Sequence, residues 1–287
     1  MFYRMEKIKN IIIQSQHQKP ILTDTFYTQN RRAKPIVIFA HGFKGYKDWG
    51  CWNLVAEAFA RQNLFFVKFN FSHNGGTKEQ PIDFPDLEAF GNNNFSKELD
   101  DLQSVIDWVF TEKSIQNEID ISNITLIGHS RGGGIVALKA SADNRISKII
   151  TWAGVSDFEA RFPKGEALEL WRNQGVSYIE NSRTKQQMPL YYQFYENFKH
   201  HKKQLHIQSA VHNLKVPYLI LHGTNDTTVL FEEAKSLQSW NPKCKLQLLE
   251  GANHTFGATH PWKETYMPEH LQNITDKSIV FVNNQNK

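Results

Sequence analysis

Ile124-Thr125-Leu126-Ile127-Gly128-His129-Ser130-Arg131-Gly132-Gly133-Gly134 is an apolar, β-branched run that breaks into a cluster of small residues. The first four residues read as the end of a buried strand, Ile121 to Ile127, and Arg131 to Ala142 reads as the helix that follows. A chain that turns from strand to helix in so few residues needs a tight corner. Residues without a Cβ let the two elements approach closely, and the serine between them is pushed into a strained backbone conformation. Ser130 then stands at a helix N-terminus, where unpaired N–H groups favour negative charge.

Outward from this corner the same alternation repeats. Pro35 to Ala40, Leu64 to Phe71, Lys148 to Ala153 and Pro217 to Leu221 are continuous apolar runs of strand length, and Lys245 to Leu249 reads as the last strand. Trp52 to Gln62 carries Leu54, Val55, Ala58 and Phe59 on one helical stripe. A second helix opens near Ser96, its expected N-cap, and runs to about Thr111. Lys7 to Ile13 and Pro20 to Thr28 form an expected antiparallel pair at one edge. The class is therefore α/β, with a mostly parallel central sheet flanked by helices.

Two stretches depart from the alternation. Ser72 to Asn94, with Gly75-Gly76, Pro81, Pro85 and Gly91, reads as an irregular connection bordering a site. Val155 to Leu214 is too long to be a bare loop, so residues 155–214 are expected to form an inserted cap of short helices or a hairpin. No internal repeat is visible, and residues 1–287 read as one domain carrying that cap.

Gly128-His129-Ser130-Arg131-Gly132 fits the pattern G-x-S-x-G in the strand–turn–helix context that gives the pattern meaning. A serine hydroxyl is a poor nucleophile at neutral pH, so it needs a base within reach and a group that fixes the base's tautomer. Asp226, in Leu221-His222-Gly223-Thr224-Asn225-Asp226, and His254, in Leu249-Glu250-Gly251-Ala252-Asn253-His254, follow the next two strands. Ligands of open α/β sheets bind at that carboxyl edge. Asp157, also after a strand, is a rival acid that chain order disfavours. His41-Gly42-Phe43 follows the first central strand; the Phe43 and Arg131 amides are the expected oxyanion donors, and His41 braces the loop.

His41-Gly42-Phe43, Gly128 to Gly132, Asp226 and His254, in this order, resemble the α/β-hydrolase superfamily over nearly the whole chain. Within it, the cap and the phrase His41-Gly42-Phe43-Lys44-Gly45 look like small esterases of the dienelactone hydrolase and cinnamoyl or feruloyl esterase groups. The resemblance implies a serine hydrolase of small or aromatic carboxylic esters acting through an acyl-enzyme. Thioesterase, acyltransferase and serine aminopeptidase chemistry use the same three residues, and a non-catalytic binding protein of this fold would ordinarily lack one of them. Two departures stand out. Asn70-Phe71-Ser72-His73-Asn74-Gly75 occupies the place where the family often has Asp-x-Arg-Gly, and Ser130 replaces the cysteine of dienelactone hydrolases.

Composition narrows the partners. The net charge of +4 is spread along the chain with no block to track phosphates, so nucleic acid is not expected. No apolar run reaches the ~18 residues of a membrane span, and no secretory leader is legible, which makes cytoplasmic the expectation. The partner is a small-molecule ester; oligomeric state is not legible. Cys51 and Cys244 read as reduced thiols. His200, His201 and His206 lack a converging ligand set, so neither metal nor cofactor is expected. His129 and His222 read as packed histidines, and the aromatics Trp171, Tyr191, Tyr192 and Phe194 as pocket walls or plain packing.

Overall fold

The structure is a computed structural model that describes residues 4–284; the first and last three residues of the expected 1–287 domain lie outside it. In chain order the strands are β1 (Met5–Gln14), β2 (Pro20–Thr28), β3 (Lys34–Ala40), β4 (Phe65–Phe69), β5 (Ile119–His129), β6 (Ile146–Trp152), β7 (Val176–Glu180), β8 (Gln187–Tyr191), β9 (Tyr218–Gly223) and β10 (Lys245–Leu249). Eight of them form one sheet in the order β1-β2-β4-β3-β5-β6-β9-β10, and β7 and β8 form a separate hairpin. β2 runs antiparallel to both β1 and β4, while all pairs from β4 to β10 are parallel.

The helices are α1 (Trp52–Arg61), α2 (Leu87–Gly91), α3 (Phe95–Thr111), α4 (Arg131–Ala142), α5 (Glu166–Gln174), α6 (Gln193–His200), α7 (Ile207–Asn213), α8 (Phe231–Trp240) and α9 (Glu269–Asn283). Successive strand residues point to opposite faces, so each central strand feeds two cores. Ile36 and Ile38 pack with Leu102 of α3, Ile135 of α4 and Leu237 of α8, whereas Val37 and Phe39 pack with Phe59 of α1 and Ile274 of α9. Both faces are covered, which is why these strands carry no polar alternation.

Residues 155–214 contain both kinds of expected structure: a 3-10 turn at Glu159–Arg161, then α5, the β7–β8 hairpin, α6 and α7. Aromatic rings fasten this insertion to α3, with the Phe95 ring 3.8 Å from Phe158 and 4.8 Å from Phe194, centroid to centroid. α7 lies against α4 in the helix layer.

Two readings are corrected. The irregular stretch 72–94 contains α2, whose start is capped by Asp86 accepting from the Ala89 amide at 2.9 Å. The N-cap of α3 is Asn94, not Ser96: the Asn94 backbone is extended and its side chain accepts from the Lys97 amide at 3.0 Å. Ser96 instead donates to Asn197 at 2.9 Å. A closing helix, α9, follows the last strand. Lys148 Nζ stops it, donating to the free carbonyls of Val282 and Asn284 at 2.6 and 2.8 Å.

Cys51 and Cys244 are free and buried, and burial pushes both thiols up to about 12. Among the described residues, no helix is long and apolar enough to cross a membrane.

Candidate active site

The carboxyl ends of β3, β5, β9 and β10 deliver His41, Ser130, Asp226 and His254 to one rim of the sheet. Ser130 has φ 55° and ψ −120°, a backbone region that a residue with a side chain enters only under constraint. Its surroundings impose the constraint. The Ser130 amide is held by the Trp152 carbonyl at 2.9 Å, and its own carbonyl accepts from Gly133 and Val155 at 2.9 and 3.2 Å. A Cβ on Gly132 would strike the carbonyl of Ala40, and one on Gly42 would come 2.8 Å from the Ser130 Cβ, so the corner closes only with glycine at both positions.

Asp226 and His254 meet: His254 Nδ1 is 2.7 Å from Asp226 Oδ2. The carboxylate is buried, and its second oxygen accepts the Thr228 and Val229 amides at 2.8 and 2.9 Å. Burial raises the carboxyl pKa, but hydrogen bonds from His222 and His254 outweigh it and hold Asp226 well below the usual carboxylate range. The rival Asp157 is exposed, and its side chain accepts the Glu159 amide.

His254 and Ser130 line the same cavity, with no hydrogen bond between them among the described residues. Neither the Phe43 nor the Arg131 amide donates to a protein acceptor among the described residues. His41 braces the loop bearing Phe43 from both ring nitrogens. Nδ1 lies 2.8 Å from the Gly42 carbonyl, and Nε2 accepts the Phe71 amide at 3.3 Å. Burial pushes His41 down to about 4, so the ring is neutral and serves as one donor and one acceptor.

Where the sequence departs from Asp-x-Arg-Gly, other groups take over the bracing. Asn70 Oδ1 accepts the Lys47 amide at 2.6 Å while its Nδ2 donates to the Pro81 carbonyl at 2.9 Å, and Asp101 accepts the Ser72 amide at 2.7 Å. His129 also lines the cavity, and its Nε2 lies 3.0 Å from the His254 carbonyl; burial pushes it down to about 3. His222 is more than a packed strand-end histidine. Its Nε2 sits 2.8 Å from the Val229 carbonyl and 3.4 Å from Asp226 Oδ2, which fixes the turn that carries the acid.

The cavity measures about 740 Å3, and Trp49, Trp52, Phe158, Phe162, Trp171 and Phe194 form much of its wall. The insertion thus supplies Trp171 and Phe194, whereas Tyr192 packs on Trp171 outside it and Tyr191 reaches Glu88 on α2. His206 caps α7, accepting the Ser209 amide at 3.3 Å. No group of three or more His, Cys, Asp or Glu side chains arranged to hold a metal ion occurs among the described residues.

The model of the BD-FAE family matches residues 84–241, more than half of the chain. The chain belongs to the BD-FAE family. Its fold places it in the α/β-hydrolase superfamily. Est1E from Butyrivibrio proteoclasticus, in a structure with ferulic acid bound, aligns at a TM-score of 0.68 with 17% identity, over 94% of this chain and 97% of that one. A dienelactone hydrolase from Anabaena variabilis aligns at 0.63 with 14% identity, over 97% of each. At such identities the likeness is one of fold. The quorum-quenching protein AidA of Acinetobacter baumannii is 26% identical over 125 residues, which span 44% of this chain and 37% of AidA.

Proposed function

We propose that this chain is a serine-dependent carboxylic ester hydrolase that works through an acyl-enzyme. One observation carries the reading: the imidazole anchored by Asp226 faces the same cavity as a serine held in a strained strand-to-helix turn. In this mechanism Ser130 Oγ attacks the ester carbonyl as His254 Nε2 takes its proton. The Phe43 and Arg131 amides hold the developing oxyanion, a contribution of about 3–4 kcal/mol per donor in such sites. His254 then passes the proton to the departing alcohol. Water, activated by the same base, releases the acid. Asp226 keeps Nδ1 protonated, so that Nε2 presents its lone pair, and it stabilises the imidazolium. Ser130 and His254 line one cavity without a mutual hydrogen bond among the described residues, and in this mechanism that bond tightens in the substrate complex.

Nucleophile, base and oxyanion donors all come from the chain, so this chemistry calls for no cofactor or metal. Residues 155–214 act as the cap that shapes the acyl pocket, whose aromatic walls suit small aromatic or acyl esters. The test is labelling by a fluorophosphonate probe, with Ser130→Ala as control, alongside p-nitrophenyl esters of graded length and methyl ferulate. Wild-type protein is expected to label and turn over, and the variant to do neither. Absence of labelling together with absence of turnover overturns the proposal. Thioester and amide analogues in the same panel separate an esterase from a thioesterase or aminopeptidase.

A further inference from the structure

The side chain of Arg131, one residue past the strained serine, is not solvated like an ordinary surface arginine. It is 13% exposed, lies in the cavity wall, and stands over the rings of Phe43, Phe95 and Phe194, its guanidinium carbon 4.0, 5.2 and 5.1 Å from their centroids. A guanidinium has five N–H donors. Among the described residues only one is used, a 3.4 Å contact from Nη1 to Glu98 Oε1, and that oxygen already accepts from Asn93 at 2.8 Å. Glu98 Oε2 is buried with no partner among the described residues.

The rest of the cavity has the same sign. Lys44, Arg161 and Arg183 also line it, and no Asp or Glu does among the described residues. Arg161 and Arg183 are each paired with a carboxylate outside the cavity, Glu233 and Asp83. Arg131 is therefore a buried cation with a weak, shared counter-ion and unspent donors in the wall of an aromatic pocket. With aromatic faces stacked on it, a guanidinium meets a further partner through its N–H edge, where a planar carboxylate accepts two parallel bonds.

We propose that Arg131 is a specificity residue that receives a carboxylate on the acyl part of the substrate, so that the preferred esters are flat, apolar and anionic at the end away from the scissile bond. The inference rests on the esterase reading for the identity of the ligand as substrate, but the anion site itself does not require turnover. Burial pushes the Glu98 carboxyl up, against the pull of Arg131, which weakens it further as a counter-ion. The backbone amide of Arg131 and its side chain then serve different parts of one ligand.

The test compares ligands that differ only in charge. Methyl 4-carboxycinnamate is set against methyl 4-methylcinnamate, and methyl 4-carboxybenzoate against methyl 4-methylbenzoate, for hydrolysis. The corresponding primary amides are used for binding by calorimetry. Wild-type protein is expected to favour the anionic member of at least one pair by about tenfold or more, the scale of a charge-assisted bond in a dry site. Arg131→Met is expected to bring the anionic-to-neutral ratio near one, and Glu98→Gln, which removes the competing carboxylate, to raise it. The ratio is the readout, since the absolute rate also reflects the oxyanion amide. A wild-type ratio of one or below for both lengths overturns the inference, as does a ratio indifferent to Arg131→Met and Glu98→Gln. If the amides show the charge preference while no ester turns over and no fluorophosphonate labels the protein, the esterase reading falls and the anion site stands.

Discussion

His254 Nδ1 lies 2.7 Å from Asp226 Oδ2, and the opposite oxygen of that carboxylate is locked by two backbone amides. The acid is thus fixed in place whether or not the imidazole is bound to it. Replacing Asp226 by Asn keeps the amide-accepting oxygen and puts an NH2 group against Nδ1, which then must turn its lone pair inward and protonate Nε2. The base faces Ser130 in the wrong tautomer. Asp226→Asn is therefore expected to retain its fold and to lose about 10^3–10^4 in kcat on the best ester. A loss smaller than tenfold, with unfolding curves unchanged, would show that something else orients His254.

The serine corner stores strain that the fold tolerates elsewhere. Ser130 at φ 55° and ψ −120° costs about 1–3 kcal/mol, and glycine relieves it at the expense of a more flexible unfolded chain. Ser130→Gly is expected to be about 1 kcal/mol more stable than Ser130→Ala in urea, with both inactive. Gly42→Ala sets a methyl against the Ser130 Cβ. Its cost is expected to shrink in the Ser130→Gly background. Equal stability of the two Ser130 variants would mean that the turn is not strained.

Sequence pattern carried furthest where both faces of the sheet are buried. β3, β4, β5, β6 and β9 are apolar runs because helices cover them on each side, and the residues of the rim follow directly from where those runs stop. α2 escaped because five residues hold too little periodicity to register. The cap of α3 was misplaced since Asn93, Asn94 and Ser96 all suit the role, and only the extended backbone at Asn94 selects it. α9 carries a helical signal of its own: Leu271, Ile274, Ser278 and Val282 are buried at helical spacing. The bracing by Asn70, the Arg131–Glu98 pair and the approach of His222 to Asp226 had no sequence signal, because each depends on how a loop returns through space.

Asp101 provides a pH test of that bracing. Burial pushes its carboxyl up to about 7, with hydrogen bonds from Ser72 pulling the other way. In the unfolded chain an aspartate titrates near about 3.9. Between roughly pH 4 and 7 the folded protein keeps a proton that the unfolded chain has lost, so this group makes stability fall as pH rises and contributes a constant penalty above that window. Asp101→Asn mimics the protonated form. It is expected to flatten the decline of the urea midpoint from pH 4 to 8 and to gain about 2–4 kcal/mol over wild type at pH 8. A difference between the two proteins that stays constant with pH would place the Asp101 carboxyl in its ordinary range.

The segment after the His41-Gly42-Phe43 loop is tied down by a buried cluster of unequal charge. Asp24 Oδ2 accepts from Lys9 and Lys68 at 2.9 and 2.6 Å, Asp24 Oδ1 lies 2.8 Å from Lys47 Nζ, and Asp48 bridges to Lys68 at 2.8 Å. Asp24, Lys47 and Lys68 are almost fully removed from solvent. Desolvating a charge costs several kcal/mol, and it is offset only while every partner is present, so removing one carboxylate leaves ammonium groups stranded. Asp24→Asn is expected to destabilise by about 3–5 kcal/mol, with little relief from added salt because the cluster is shielded. Adding Lys68→Met removes one stranded charge, and the double variant should be more stable than the sum of the single costs by at least about 1 kcal/mol. Strict additivity would mean that Lys68 draws its stabilisation from Asp48 and the Phe26 ring instead, whose centroid lies 5.4 Å from its ammonium. The same tether runs through Lys47 to Asn70. Asp24→Asn should therefore lower kcat in the fraction that remains folded, by loosening the loop that aims the Phe43 amide.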